Sequence, residues 1–102
     1  MSTSVVKRTG DPITFTWTYD PAHEAQIDEF RIESSPTPNG VFAVVVGGLP
    51  VSLREKVINA GAATLYFRIA AVKDGTNASY ATNLTQVIID NTPHPPENFS
   101  VS

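Results

Sequence analysis

The chain has 102 residues, 41% of them hydrophobic and 17% charged, with a formal net charge of −3 and no cysteine. That length fits one domain, and the composition is that of a packed globule rather than a disordered chain. The lack of cysteine excludes disulfides, thiolate catalysis and cysteine metal sites, and the negative charge argues against nucleic acid, which selects a basic face.

The N-terminus, Met-Ser-Thr-Ser-Val-Val-Lys-Arg, contains no apolar segment of signal-peptide length. If Met1 is the true start, the protein is not exported by a leader of its own. Val5 and Val6 mark a first strand, and Thr9-Gly10-Asp11-Pro12 reads as a turn. Residues 13–19 alternate without a break: Ile13, Phe15, Trp17 and Tyr19 on one face, Thr14, Thr16 and Thr18 on the other. This is the period of a half-buried strand, and it predicts Trp17 as the centre of the core. Asp20-Pro21 ends the strand, and residues 22–30 have room for one helical turn.

The strand over 27–34 puts Phe30 and Ile32 inward and Glu29, Arg31 and Glu33 outward. After a proline-rich loop over 35–40 comes Val41-Phe42-Ala43-Val44-Val45-Val46, an uncharged run that periodicity cannot orient and that is too short to span a bilayer. Gly47-Gly48-Leu49-Pro50 is expected to break it. In 51–58 the residues Val51, Leu53 and Val57 share a parity that Glu55 spoils, so this strand is expected to be short or shifted. Residues 64–72 place Leu65, Phe67, Ile69 and Ala71 on one face, and Asp74-Gly75 marks a hairpin turn. A last strand falls within 80–89, and Asp90 to Pro96 has the composition of a stiff, extended segment. The expected architecture is an all-β, seven-strand antiparallel sandwich over 1–90, with a Pro-rich linker or arm over 91–102.

Three of these pieces resemble a fibronectin type III module: Phe15-Thr16-Trp17-Thr18-Tyr19-Asp20-Pro21, Ile27-Asp28-Glu29-Phe30-Arg31-Ile32-Glu33, and Phe67-Arg68-Ile69-Ala70-Ala71-Val72 followed by Gly75 and Ser79. They are similar to that family's second, third and sixth strands. Leu65 stands where the family usually has a corner tyrosine, with Tyr66 beside it on the other parity, which puts the corner hydrogen bond in doubt. An immunoglobulin-like sandwich is the alternative. The resemblance implies a fold much more than an activity.

Candidate chemistry is sparse. His23 and His94 lie in loops far apart in the chain, and a zinc site would need further ligands from carboxylates. Asp20, Glu24, Asp28, Glu29 and Asp74 gather acidity around one end of the expected sandwich, the ingredients of glycoside hydrolysis or calcium binding without an evident cleft. A solvated rim accounts for them. Neither a serine nucleophile motif nor a phosphate-binding glycine loop occurs. The sequons at Asn77, Asn83 and Asn98 are short enough to arise by chance.

The expectation is therefore a non-catalytic structural or protein-interaction module without cofactor or metal. A lone, cysteine-free, leaderless sandwich resembles the small β-modules of bacteriophage tails and capsids, and the virion is the expected location. The alternative is a spacer domain of a secreted carbohydrate-active enzyme or adhesin. The expected partner is protein, through self-assembly or neighbouring subunits, with no nucleic acid and no membrane; no residue pattern supports a carbohydrate ligand. The candidate contact residues are Val41, Phe42, Val44 and Val46 on the uncharged run, and Pro95, Pro96, Phe99 and Val101 on the tail, where Phe99 and Val101 alternate as in an added strand.

Overall fold

The computed structural model describes residues 3–81, 83–93, 95–98, 100 and 101. Strands occupy 49% of the chain and helix 6%, and the architecture is an all-β sandwich. The elements in chain order are β1 (Thr3–Lys7), β2 (Pro12–Thr16), a 3-10 helix (Pro21–Gln26), β3 (Glu29–Ser35), β4 (Ala43–Leu49), β5 (Glu55–Asn59), β6 (Leu65–Lys73), β7 (Asn77–Tyr80) and β8 (Thr85–Ile89). The larger sheet runs β1-β8-β6-β3-β4 with β7 also on β6, and β2 pairs with β5 in the smaller one. Every pairing is antiparallel except β1 against β8, which is parallel. The expected last strand is broken: β7 pairs with Ala70–Lys73 and β8 with Leu65–Phe67, on the edge of β6 away from β3, and residues 81–84 lie between them.

The core forms where the two alternating faces meet. Ile13 of β2, Phe30 and Ile32 of β3, Leu49 of β4, Phe67 of β6, Val87 of β8 and Ala60 after β5 are buried together. Phe15, Trp17, Tyr19, Ile58, Leu65 and Ile69 pack around them, half-buried. Phe30 is the hub, with its ring centroid 5.6 Å from that of Trp17 and 5.1 Å from that of Tyr19. Trp17 points inward as its parity predicts, but it lies on the rim of the core; Phe30 and Ile32 occupy the centre. The β3 and β6 parities also hold, and Leu65 packs against the core while Tyr66 stands between Ser35 and Gln86 on neighbouring strands.

Two expectations are corrected. Gly47-Gly48 does not break β4. The strand runs through to a buried Leu49 opposite Phe30, because Gly48 takes a φ of +67° and the β3–β4 ladder shifts register twice. Such a bulge needs the left-handed region, which glycine enters without a Cβ clash. The second correction concerns β5, which begins only at Glu55. Val51 to Leu53 form a turn closed by Leu53 N–H donating to the Pro50 carbonyl at 2.9 Å. Trp17 N–H then donates to the Arg54 carbonyl at 3.1 Å and sets Ile58 opposite Ile13. Ile58 therefore faces the core, and Val57, expected inward, is 49% exposed.

The helical turn after β2 has a local cause. The Asp20 carboxylate accepts from Ala22 N–H at 2.9 Å and Pro21 supplies the first helical position.

Candidate interaction site

The acidic residues do not form one site. Asp20 caps the 3-10 helix, and Glu24 accepts from Arg54 at 2.6 Å. Asp28 accepts from Asp74 N–H at 2.7 Å and from Lys73 at 3.3 Å, while Glu29 accepts from Gly48 N–H at 3.2 Å and lies 3.5 Å from Arg31. Among the described residues no three His, Asp or Glu side chains converge as metal ligands would. His23 lies exposed on the 3-10 helix, 3.8 Å from Asp20, and His94 lies outside the described residues.

Local hydrogen bonds hold the Asp28 and Asp90 carboxyls below the ordinary aspartate range. For Asp28 the main cause is the Asp74 N–H, then Lys73; for Asp90 it is the hydroxyl and N–H of Thr92, with Arg8 adding less. A carboxyl whose pKa is depressed on folding stabilises the folded state above its unfolded value, about 3.9, and that contribution disappears as pH falls through the folded value. Urea unfolding as a function of pH should show stability dropping below about pH 4. The drop should be shallower in Asp28→Asn, and an unchanged acid limb would remove the role assigned to this contact.

The outer face of the larger sheet is closed by a charged and aromatic layer. The Arg68 guanidinium lies between two rings, 4.2 Å from the centroid of Phe42 and 3.7 Å from that of Tyr80. It also pairs with Glu33 at 2.7 Å, and Arg31 lies 3.7 Å from the same carboxylate, which is only 5% exposed. Ala70 and Val72, small and fully buried, lie in this face. Phe42 is thus occupied within the domain, and Val46 packs on the core. Val41 is 92% exposed, and Val44 and Val45 are also exposed. Pro95 and Pro96 are exposed, Val101 is 96% exposed, and Phe99 lies outside the described residues.

Among the described residues five strand edges carry no partner strand: β1 and β4 at the two sides of the larger sheet, the outer side of the short β7, and the outer sides of β2 and β5. Unpaired edges invite other chains, and proteins blunt them with charge, bulges or proline. β1 carries Lys7, and β5 carries Glu55 and Lys56. β4 is uncharged but twice bulged. β2 is uncharged and regular, with Pro12 only at its first position.

Sequence reasoning identified the run at 41–46 and missed β2 as an edge. Its alternation specified the buried face but carried no information on which strands lie to either side. A cleft of about 410 Å³ lies beside its C-terminal half, lined by Phe15 to Thr18, Ile32, Phe67 to Ile69, and Ala81, Asn83 and Thr85 at the break between β7 and β8. A smaller hollow of about 190 Å³ continues it past Tyr19, Phe30 and Tyr80. Trp17 lines both, and its indole N–H is buried without an acceptor among the described residues.

The tail leaves from the opposite pole. Arg8 donates to the carbonyls of Asn91 and Thr92 at 3.2 and 2.9 Å, and Asn91 exchanges hydrogen bonds with Thr9, both at 2.9 Å. Residues 95–98 beyond this clamp form no strand or helix, and the molecule is 70 Å long against a cross-section of 26 × 23 Å. No protein-family model matches the chain, and no curated protein matches it.

Proposed function

We propose that this protein is a non-catalytic structural module that acts by assembly, as a small part of a virion such as a phage tail or capsid. The observation that carries this reading is the combination of an uncharged, regular β2 edge and exposed valines with a projecting proline-rich tail. Exposed Val41, Val44 and Val45 and the uncharged backbone edge of β2 are surfaces that a solitary protein would be expected to cover or charge. A particle built from many copies covers such surfaces with neighbours. Proline keeps the tail extended, so it loses less conformational freedom on docking than a flexible tail would.

Sedimentation velocity on the full chain and on a form lacking residues 94–102 tests this. The full chain should show concentration-dependent association. The truncated form should sediment as a monomer with an unchanged far-UV circular dichroism spectrum, since no described residue within the deleted stretch belongs to a strand. A truncated form that associates like the full chain would reduce the tail to a linker.

A further inference from the structure

We infer that the assembly is head-to-tail: residues 97–101 of one copy add as a strand to the free edge of β2 in the next. The inference rests on the assembly reading and names the surface that accepts the tail.

Alternation within β2 determines which of its backbone groups are free. In an antiparallel pair, residues that exchange hydrogen bonds with the partner alternate with residues whose N–H and C=O point away. Trp17 N–H donates to Arg54 C=O, so Trp17, Phe15 and Ile13 face β5. Thr14, Thr16 and Thr18 therefore present their N–H and C=O groups to the open side. These three threonines are exposed. Backbone polar groups in this arrangement are the template for strand addition, in which main-chain bonds hold the added segment and side-chain pockets select it.

The cleft beside this edge provides the pocket. It lies where β7 ends at Tyr80 and β8 begins at Thr85, bordered by Ala81, Asn83 and Thr85, between the β2 edge and Phe67 and Ile69 of β6. Its lining combines Phe15, Trp17, Ile32, Phe67 and Ile69 with threonine, asparagine, Ala81 and one charged residue, Arg68, a mostly apolar surface suited to a strand with one apolar face. In the tail, Phe99 and Val101 supply that face. Residues 97–101 extended span about 17 Å, the length of Thr14–Thr18. Pro95 and Pro96, which have no N–H to donate, precede the paired stretch. Asn98, at a φ of 56° in the free tail, becomes extended when it pairs.

Topology favours a second copy over the chain's own tail. The tail is clamped at Arg8 and Thr9, next to the start of β2, and projects away from the body. The cleft lies at the other half of β2. Donor and acceptor at opposite poles form a heterologous contact, which propagates into a filament or closes into a ring.

Sedimentation of two complementary variants tests this. Thr16→Pro removes an outward N–H and leaves the ladder to β5 intact, blocking the acceptor. Deletion of 94–102 removes the donor. Each variant alone should be monomeric; an equimolar mixture should form a one-to-one dimer and nothing larger, whereas the full chain grows beyond the dimer. Phe99→Lys with Val101→Lys, which leaves β2 intact, should behave like the deletion even where Thr16→Pro folds poorly. If the deletion is monomeric while Thr16→Pro assembles like the full chain, the tail docks on another edge; the inference fails and the assembly reading stands. A full chain that is monomeric at millimolar concentration overturns both. A full chain that is monomeric yet has its Thr16 amide protected from exchange by the tail places the tail on its own β2, which also overturns the head-to-tail inference.

Discussion

Replacing Phe30 by alanine should lower stability by about 3–5 kcal/mol, the range for removing a large aromatic from a packed core. Phe30 is 2% exposed and contacts the rings of Trp17 and Tyr19, while the Arg54 guanidinium lies 5.3 Å from its centroid. Small domains hold about 5–15 kcal/mol in total, so the variant should be partly unfolded at physiological temperature. Phe30→Leu keeps most of the volume and should cost about 1.5 kcal/mol or less. Chemical denaturation followed by Trp17 fluorescence measures both. Similar losses for the two variants would show that volume at this position is not what organises the core.

The second large effect is expected at Arg54. Its guanidinium donates to the carbonyls of Val51 at 2.6 Å, Leu53 at 2.8 Å and Tyr19 at 3.2 Å, as well as to Glu24 at 2.6 Å. It also lies 5.8 Å from the Tyr19 ring centroid, over the end of the core. One side chain thereby ties the turn before β5 to the segment that follows β2 and to the 3-10 helix. Arg54→Ala leaves those carbonyls and a half-buried carboxylate unpaired, and should cost about 2–3 kcal/mol. For a domain of this size that lowers Tm by about 10–20 °C. Arg54→Lys should recover less than half of the loss, because an ammonium cannot reproduce the planar fork. Thermal unfolding of the pair tests this, and full recovery by lysine would show that charge alone matters.

Arg54 also shows what the sequence could and could not reveal. The alternations of Ile13 to Tyr19, Glu29 to Glu33 and Leu65 to Ala71 were legible because period-two burial is a local pattern, and these strands carried most of the fold. The β4–β5 region was not. Gly48 turns a bulge that looks like a break in the sequence, and the inward parity of β5 depends on a hydrogen bond between Trp17 and Arg54, residues distant in the chain. The uncharged run at 41–46 was visible as a candidate edge. That Phe42 would lie against Arg68, and that β2 would have no neighbour on one side, depended on the tertiary arrangement and left no local trace.

The parallel pairing of β1 with β8 bears on how the domain folds. It joins strands 82 residues apart, as at Thr3 and Thr85, and no crossover helix helps bring them together. Closing so long a loop costs entropy before any contact compensates for it, and folds built from such pairings form in milliseconds to seconds rather than microseconds. β1 pairs within the larger sheet only with β8, and that pairing is the most distant in sequence, so β1 is expected to dock late and to detach early. Until it docks, the edge of β8 is bare, and the nascent domain exposes one more uncharged strand than the finished one.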